Sequence, residues 1–241
     1  MKYNIVGIDP SLISTALVVS SGDTFKMYNY CREKTAMGKG GLTKWFKMAE
    51  EYSTLRFVEY REFKDYSEGE LIKLKDYDKI TDTIIDDILN NIDKSLPTKI
   101  GIEGYSFSSN AGAIIDLVTF STLLRKKLFD LVSEDILVLS PSTLKLESCK
   151  LTYPPILKET GKKKITIKEE YRNNIGISGG VFTKTDIFMS IIENLQYDDY
   201  WSRHCKVCQG DILSIKTIPK PYEDLNDSFI IFKYLEKTQS N

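Results

Sequence analysis

Residues 3–10 read Tyr-Asn-Ile-Val-Gly-Ile-Asp-Pro, and the rest of the chain is best understood outward from them. The stretch is short and rich in β-branched residues, and it closes at Pro10, so it reads as a buried strand that ends on a carboxylate. Residues 15–20 (TALVVS) and 24–30 (TFKMYNY) repeat the strand character, with Ser21-Gly22-Asp23 as the turn of a hairpin. Three short strands in succession make an antiparallel meander. An acid among apolar neighbours at a strand end is costly to bury unless it is paired or holds a cation. Asp9 is therefore the first residue to follow.

Further along, residues 99–103 (KIGIE) form a fourth short strand, again ending on an acid, Glu103. A long apolar helix is expected over 111–132 and a fifth strand over 135–139 (DILVL), closed by Ser140-Pro141. Strand, helix, strand at this spacing is a crossover that implies parallel pairing. Between the meander and Glu103, glycines 38, 40 and 41 break the chain. A helix is expected within 43–60, and a clearer one over 72–92, where Ile72, Ile80, Ile84, Ile85, Ile88, Leu89 and Ile92 share a face. Asp78, Asp82, Asp86 and Asp87 fall on the other side and read as a solvated face. A last helix is expected over 225–235.

The balance of 41% hydrophobic and 28% charged residues is that of a globular domain, and 241 residues fit one domain with elaborations. The longest apolar runs are too short to span a bilayer, the first residues lack the apolar core of a secretory signal, and the expected location is cytoplasmic. A net charge of −1 speaks against non-specific coating of nucleic acid, which is driven by Lys and Arg. The local distribution differs: between Lys158 and Arg172 stand six cations (Lys158, Lys162, Lys163, Lys164, Lys168, Arg172) and three anions.

Asp9, Glu103, Asp224 and Asp227 are the acids at special places. Two end strands, and two open the last helix three residues apart, on one face. Converging carboxylates repel, and a divalent ion relieves the repulsion. Hard oxygen ligands select Mg²⁺ or Mn²⁺, and two such ions about 4 Å apart suit phosphodiester hydrolysis. Singly, Asp9 also suits a turn before Pro10 and Asp224 a helix N-cap.

These motifs, in this order, resemble the RuvC family of Holliday-junction resolvases. Gly7-Ile8-Asp9-Pro10 with Thr15, Ile102-Glu103 with Asn110-Ala111, and Asp224-x-x-Asp227 match its three motifs. The match spans about residues 3–30, 98–170 and 222–237, and leaves 35–80 and 173–221 as insertions within a single domain over 1–241. The resemblance implies an RNase H-like α/β fold, a mixed five-stranded sheet with helices on both faces. It also implies that all four carboxylates hold two Mg²⁺ or Mn²⁺ ions, and that the substrate is branched DNA cut by a homodimer paired through one face of the 111–132 helix, with Ile115, Phe120 and Leu124 as candidate contacts. Tyr105 and Phe107, in the loop after Glu103, would stack on bases or seal the core, and Lys162, Lys163, Lys164 and Lys168 lie where the family contacts DNA. The family pattern has small residues where Ser228-Phe229 stand here. Other readings are a nuclease for flaps, forks or RNA–DNA hybrids, an inactive RNase H-like scaffold, and a nucleotide-binding protein of the actin/hexokinase type. The last needs a second related domain for which the chain has little room.

One feature points elsewhere. His204-Cys205-Lys206-Val207-Cys208 offers soft ligands for zinc, but a structural site wants four and no second Cys-x-x-Cys follows. The expectation is an insertion with free thiols and no zinc.

Overall fold

The computed structural model describes residues 3–22, 24–105, 111–152, 183–193 and 200–238. They form two compact units, one of Met1–Pro141 with Lys220–Asn241 and one of Ser142–Pro219.

The first unit is built on a six-stranded sheet. Its strands are β1 (Asn4–Asp9), β2 (Ser14–Ser21), β3 (Thr24–Arg32), β6 (Thr54–Val58), β7 (Thr98–Glu103) and β8 (Ile136–Leu139), in the order β6-β3-β2-β1-β7-β8. β1, β2 and β3 form the expected antiparallel meander, and β7 and β8 join in parallel. A two-stranded ribbon, β4 (Met37–Gly38) with β5 (Gly41–Leu42), lies in the chain between α1 (Glu33–Ala36) and α2 (Lys44–Ala49). This is the expected mixed α/β architecture with one strand more. The helix expected over 43–60 is only α2, and β6 follows it, pairing in parallel with the edge of β3.

Helices cover both faces. α3 (Tyr66–Leu89) and α4 (Ala111–Leu131) lie on one face, where Ile80, Ile84, Ile88, Phe120, Leu124 and Leu128 pack against Val6, Ile8, Leu17, Val19, Ile100 and Ile102. α3 starts ahead of its apolar stripe because Asp65 caps it: the Glu68 N–H donates to Asp65 Oδ1 at 2.9 Å, and the Glu68 carboxylate accepts from the Lys64 N–H at 3.2 Å. Phe120 and Leu124, expected as candidate dimer contacts, are fully buried in this core, whereas Ile115 is 61% exposed. The helix is apolar on several sides partly because α3 packs beside it as well as the sheet beneath.

Asp87 corrects another expectation. It is buried, and the half-exposed Arg56 of β6 reaches it with Nη2 to Oδ1 at 2.9 Å and Nε to Oδ2 at 3.2 Å, while the Tyr30 hydroxyl donates to Oδ2 at 2.9 Å. Asp76 is likewise buried and accepts from Arg61 Nε at 2.7 Å. Asp78 keeps its place at the surface, 2.8 Å from Lys127 of α4.

The opposite face carries α8 (Tyr222–Thr238), which packs on β1, β2 and β7. The second unit contains α5 (Pro141–Thr152) from its second residue on, α6 (Lys184–Glu193) and α7 (Tyr200–Leu213), with α6 and α7 packed together. No helix among the described residues is long and apolar enough to cross a membrane.

Candidate metal centre

Strand geometry decides where the acids point. Side chains alternate between faces, so with Val6 and Ile8 turned toward α3 and α4, Gly7 and Asp9 face α8. The same holds in β7, where Ile100 and Ile102 face the core and Gly101 and Glu103 face α8. The register pairs Gly7 with Gly101. Each strand thus presents a glycine and then an acid to the same helix.

The glycines let that helix come close. A Cβ on Gly7 would stand 2.5 Å from the Ser228 carbonyl oxygen and 2.8 Å from the Phe232 nitrogen; one on Gly101 would stand 2.5 Å from Ile231 Cγ2. At Gly7 the atoms in the way are helix backbone, so nothing larger than hydrogen fits, while at Gly101 they are side-chain atoms that would have to shift. Ser228 is fully buried with its backbone carbonyl over Gly7.

One turn of α8 is thereby set against the strand ends. Asp9, Glu103 and Asp227 each offer an oxygen, and these three atoms lie within 4.8 Å of one another. Asp9 and Asp227 are buried and Glu103 is half-buried. Three carboxylates from three elements at this separation suit a hard divalent cation such as Mg²⁺ or Mn²⁺. Among the described residues, no other group of three His, Cys, Asp or Glu side chains converges in this way.

The surroundings fix the ligands. Thr15 Oγ1 donates to the Ser11 carbonyl at 2.7 Å and accepts from the Ser11 N–H at 3.1 Å, tying down the turn after Asp9. Arg125 of α4 donates to the Glu103 carbonyl at 3.2 Å and lies 4.4 Å over the ring of Tyr105. The half-buried Tyr105 is held by its hydroxyl, 3.2 Å from Thr122 Oγ1. Phe107, Lys162, Lys163, Lys164 and Lys168 lie outside the described residues, as does Asn110.

Asp224 does not join the group of three. It sits one turn before Asp227, is 2% exposed, and receives the ammonium of Lys220, which also lies 3.5 Å from Glu223. Burial pushes the Asp224 pKa up to about 7; Lys220 works against that shift, and the Asp9 charge adds to it. Burial also works against the charge on Lys220, but Asp224, Glu223 and Asp9 together hold its pKa above the ordinary lysine value.

Lys220, Arg125 and the two glycines were not anticipated from the residues as site components. The glycines had a signal: β1 and β7 both end Gly-Ile-acid, and a period of two puts glycine and acid on one face.

His204, Cys205 and Cys208 are buried on α7, with Cys208 Sγ 3.7 Å from the imidazole nitrogens of His204. Burial drops the His204 pKa to about 4.

No protein-family model and no curated protein matches the chain. Two solved structures of RuvC from Thermus thermophilus are similar to it. One, in complex with a Holliday junction substrate, is 9% identical, with a TM-score of 0.43 over 98% of this chain and 96% of that one. The other is 10% identical, with the same TM-score and coverage. At that distance the reading of the site rests on the chain's own geometry.

Proposed function

We propose that this protein is a divalent-metal-dependent endonuclease that cuts branched DNA, with the four-way junction as its substrate. The observation behind the proposal is the convergence of Asp9, Glu103 and Asp227 from two strand ends and one helix within 4.8 Å. Like charges gathered in a partly buried place destabilise a fold unless a cation resides there.

In this reading Asp9, Glu103 and Asp227 hold Mg²⁺ or Mn²⁺, which supplies an activated water and neutralises charge on the phosphate. The protein's part is to fix the ligands before substrate arrives. Gly7 and Gly101 let α8 bring in Asp227, Thr15 holds the turn that follows Asp9, and Arg125 pins the end of β7. DNA contacts are assigned to Tyr105, Phe107 and the Lys162–Lys164 and Lys168 cluster.

A resolvase nicks two strands symmetrically, which two copies related by a two-fold axis do naturally. With Phe120 and Leu124 in the core, the remaining candidate surface on α4 is the face bearing Ile115 and Phe129, 61% and 51% exposed.

The direct test is cleavage of a synthetic four-way junction with and without Mg²⁺, beside linear duplex, flap and RNA–DNA hybrid controls. The expected result is metal-dependent, paired nicking of the junction that is lost in Asp9→Asn. Preferential cutting of the flap or the hybrid would replace the substrate, and activity in Asp9→Asn would refute the site itself.

A further inference from the structure

The four carboxylates near the strand ends divide into three that face one another and one, Asp224, that faces a lysine. Lys220 lies in the turn that leads into α8, and its ammonium reaches Asp224 Oδ1 in the first turn of that helix. The lysine is placed to stay, since its side chain is only 33% exposed and Glu223 Oε2 flanks it at 3.5 Å.

We infer that the Lys220 ammonium is the built-in second cation of this site, so that Asp9, Glu103 and Asp227 take one divalent ion where the four acids alone would take two. The inference rests on the metal-dependent reading above. A cation tethered to the backbone at Lys220 is presented to Asp224 at an effective concentration in the millimolar range or higher. A second free ion would have to displace it from Asp224 and leave a half-buried ammonium with Glu223 alone, which works against the exchange. Asp224 then serves as the seat of Lys220 and not as a metal ligand. It is a positioning residue for the lysine, and the two belong together.

The experiment is a Mn²⁺ titration of the full chain without DNA, read by calorimetry and by the EPR signal of free Mn²⁺, so that no cleavage is involved. The wild type and Lys220→Arg are expected to bind one ion per chain, and Lys220→Met two. Asp224→Asn should weaken the wild-type ion by less than about 10-fold, against more than about 100-fold for Asp227→Asn. Two ions on the wild type, or one ion on a folded Lys220→Met, overturns the inference while leaving the metal site standing. If Lys220→Met does not fold because Asp224 is left buried and charged, Asp224→Asn decides: damage equal to that of Asp227→Asn makes Asp224 a ligand and overturns it. Absence of any Mn²⁺ binding that depends on Asp9 overturns the metal-dependent reading itself, a result distinct from the others.

Discussion

Two sets of buried or half-buried acids occupy the first unit, and they are built on opposite plans. Asp87 and Asp76 lie on α3, and each meets a guanidinium, Arg56 and Arg61 respectively. Asp9, Glu103 and Asp227 meet one another. A carboxylate held by an arginine is a structural element whose charge is answered within the fold. Carboxylates set against each other are a cost that a site with a cation recovers. Burial alone does not separate the two, since Asp87 is 7% exposed and Asp227 5%. What separates them is that Asp87 and Asp76 each lie on a guanidinium, whereas Asp9, Glu103 and Asp227 bring oxygens within 4.8 Å of one another.

The contrast predicts opposite responses to the same chemical change. Asp9→Asn removes a ligand charge at little change in shape, and cleavage should fall by on the order of 10³-fold, the scale of losing one electrostatic contact at a reacting group. Its melting temperature without metal should stay the same or rise, because repulsion is relieved, and the stabilisation that Mg²⁺ gives the wild type should vanish. Asp87→Asn should do the reverse. It leaves Arg56 and Tyr30 facing a neutral amide, and stability should drop by about 2 kcal/mol, below the 3–5 of a fully buried pair because Arg56 is half exposed. Cleavage at the permissive temperature should be little changed. Thermal melts of both variants with and without Mg²⁺ read all four outcomes, and a metal-free loss of stability in Asp9→Asn as large as that in Asp87→Asn would dissolve the distinction.

These plans were unequally legible in the sequence. The gathered acids stood at strand ends whose apolar neighbours made the strands unmistakable, and local period then fixed their face. The paired acids depended on contacts across the fold. Asp87 looks solvated on a helical wheel because nothing local announces β6, where Thr54–Val58 alternates weakly at a sheet edge and Arg56 points back under the helix. The same limit hid Lys220, whose role depends on Asp224 being sunk beside it in the fold. The apolar excess of α4 was visible, but the sequence could not say that Phe120 and Leu124 would go to the core while Ile115 stayed outside.

A smaller effect sharpens the geometry on which the gathered set depends. In Gly101→Ala the new methyl would stand 2.5 Å from Ile231 Cγ2 and 3.0 Å from Leu235 Cδ1, both side-chain atoms of α8. The helix or those side chains must give way, at about 1–3 kcal/mol for overpacking. Because the contact seats the helix that carries Asp227, Mn²⁺ affinity should fall as well, though no ligand is touched. Retention of full affinity would show that Ile231 and Leu235 absorb the change without moving Asp227.

The smallest expected effect concerns a third way to bury an ionisable group, which is to keep it uncharged. His204 in the second unit is 4% exposed, and burial lowers its pKa from the ordinary 6.5 to about 4. Above pH 6.5 the imidazole is neutral both folded and unfolded, and it contributes no pH dependence. As pH falls from 6.5 toward 4 the unfolded chain binds a proton that the folded unit refuses. Unfolding is therefore favoured, with a slope of at most about 1.4 kcal/mol per pH unit. Below pH 4 both states bind the proton and the loss stops growing. Trp201, whose ring lies 5.4 Å from that of His204, reports on this unit once Trp45 is replaced by Phe. In that background, urea melts followed by Trp201 fluorescence should weaken between pH 6.5 and 4.5, and His204→Gln should remove the histidine's share and leave whatever the carboxylates add. Equal pH dependence with and without the imidazole would mean that His204 takes up its proton as readily in the folded unit as in the unfolded chain, and that the burial of this helix face does not hold in solution.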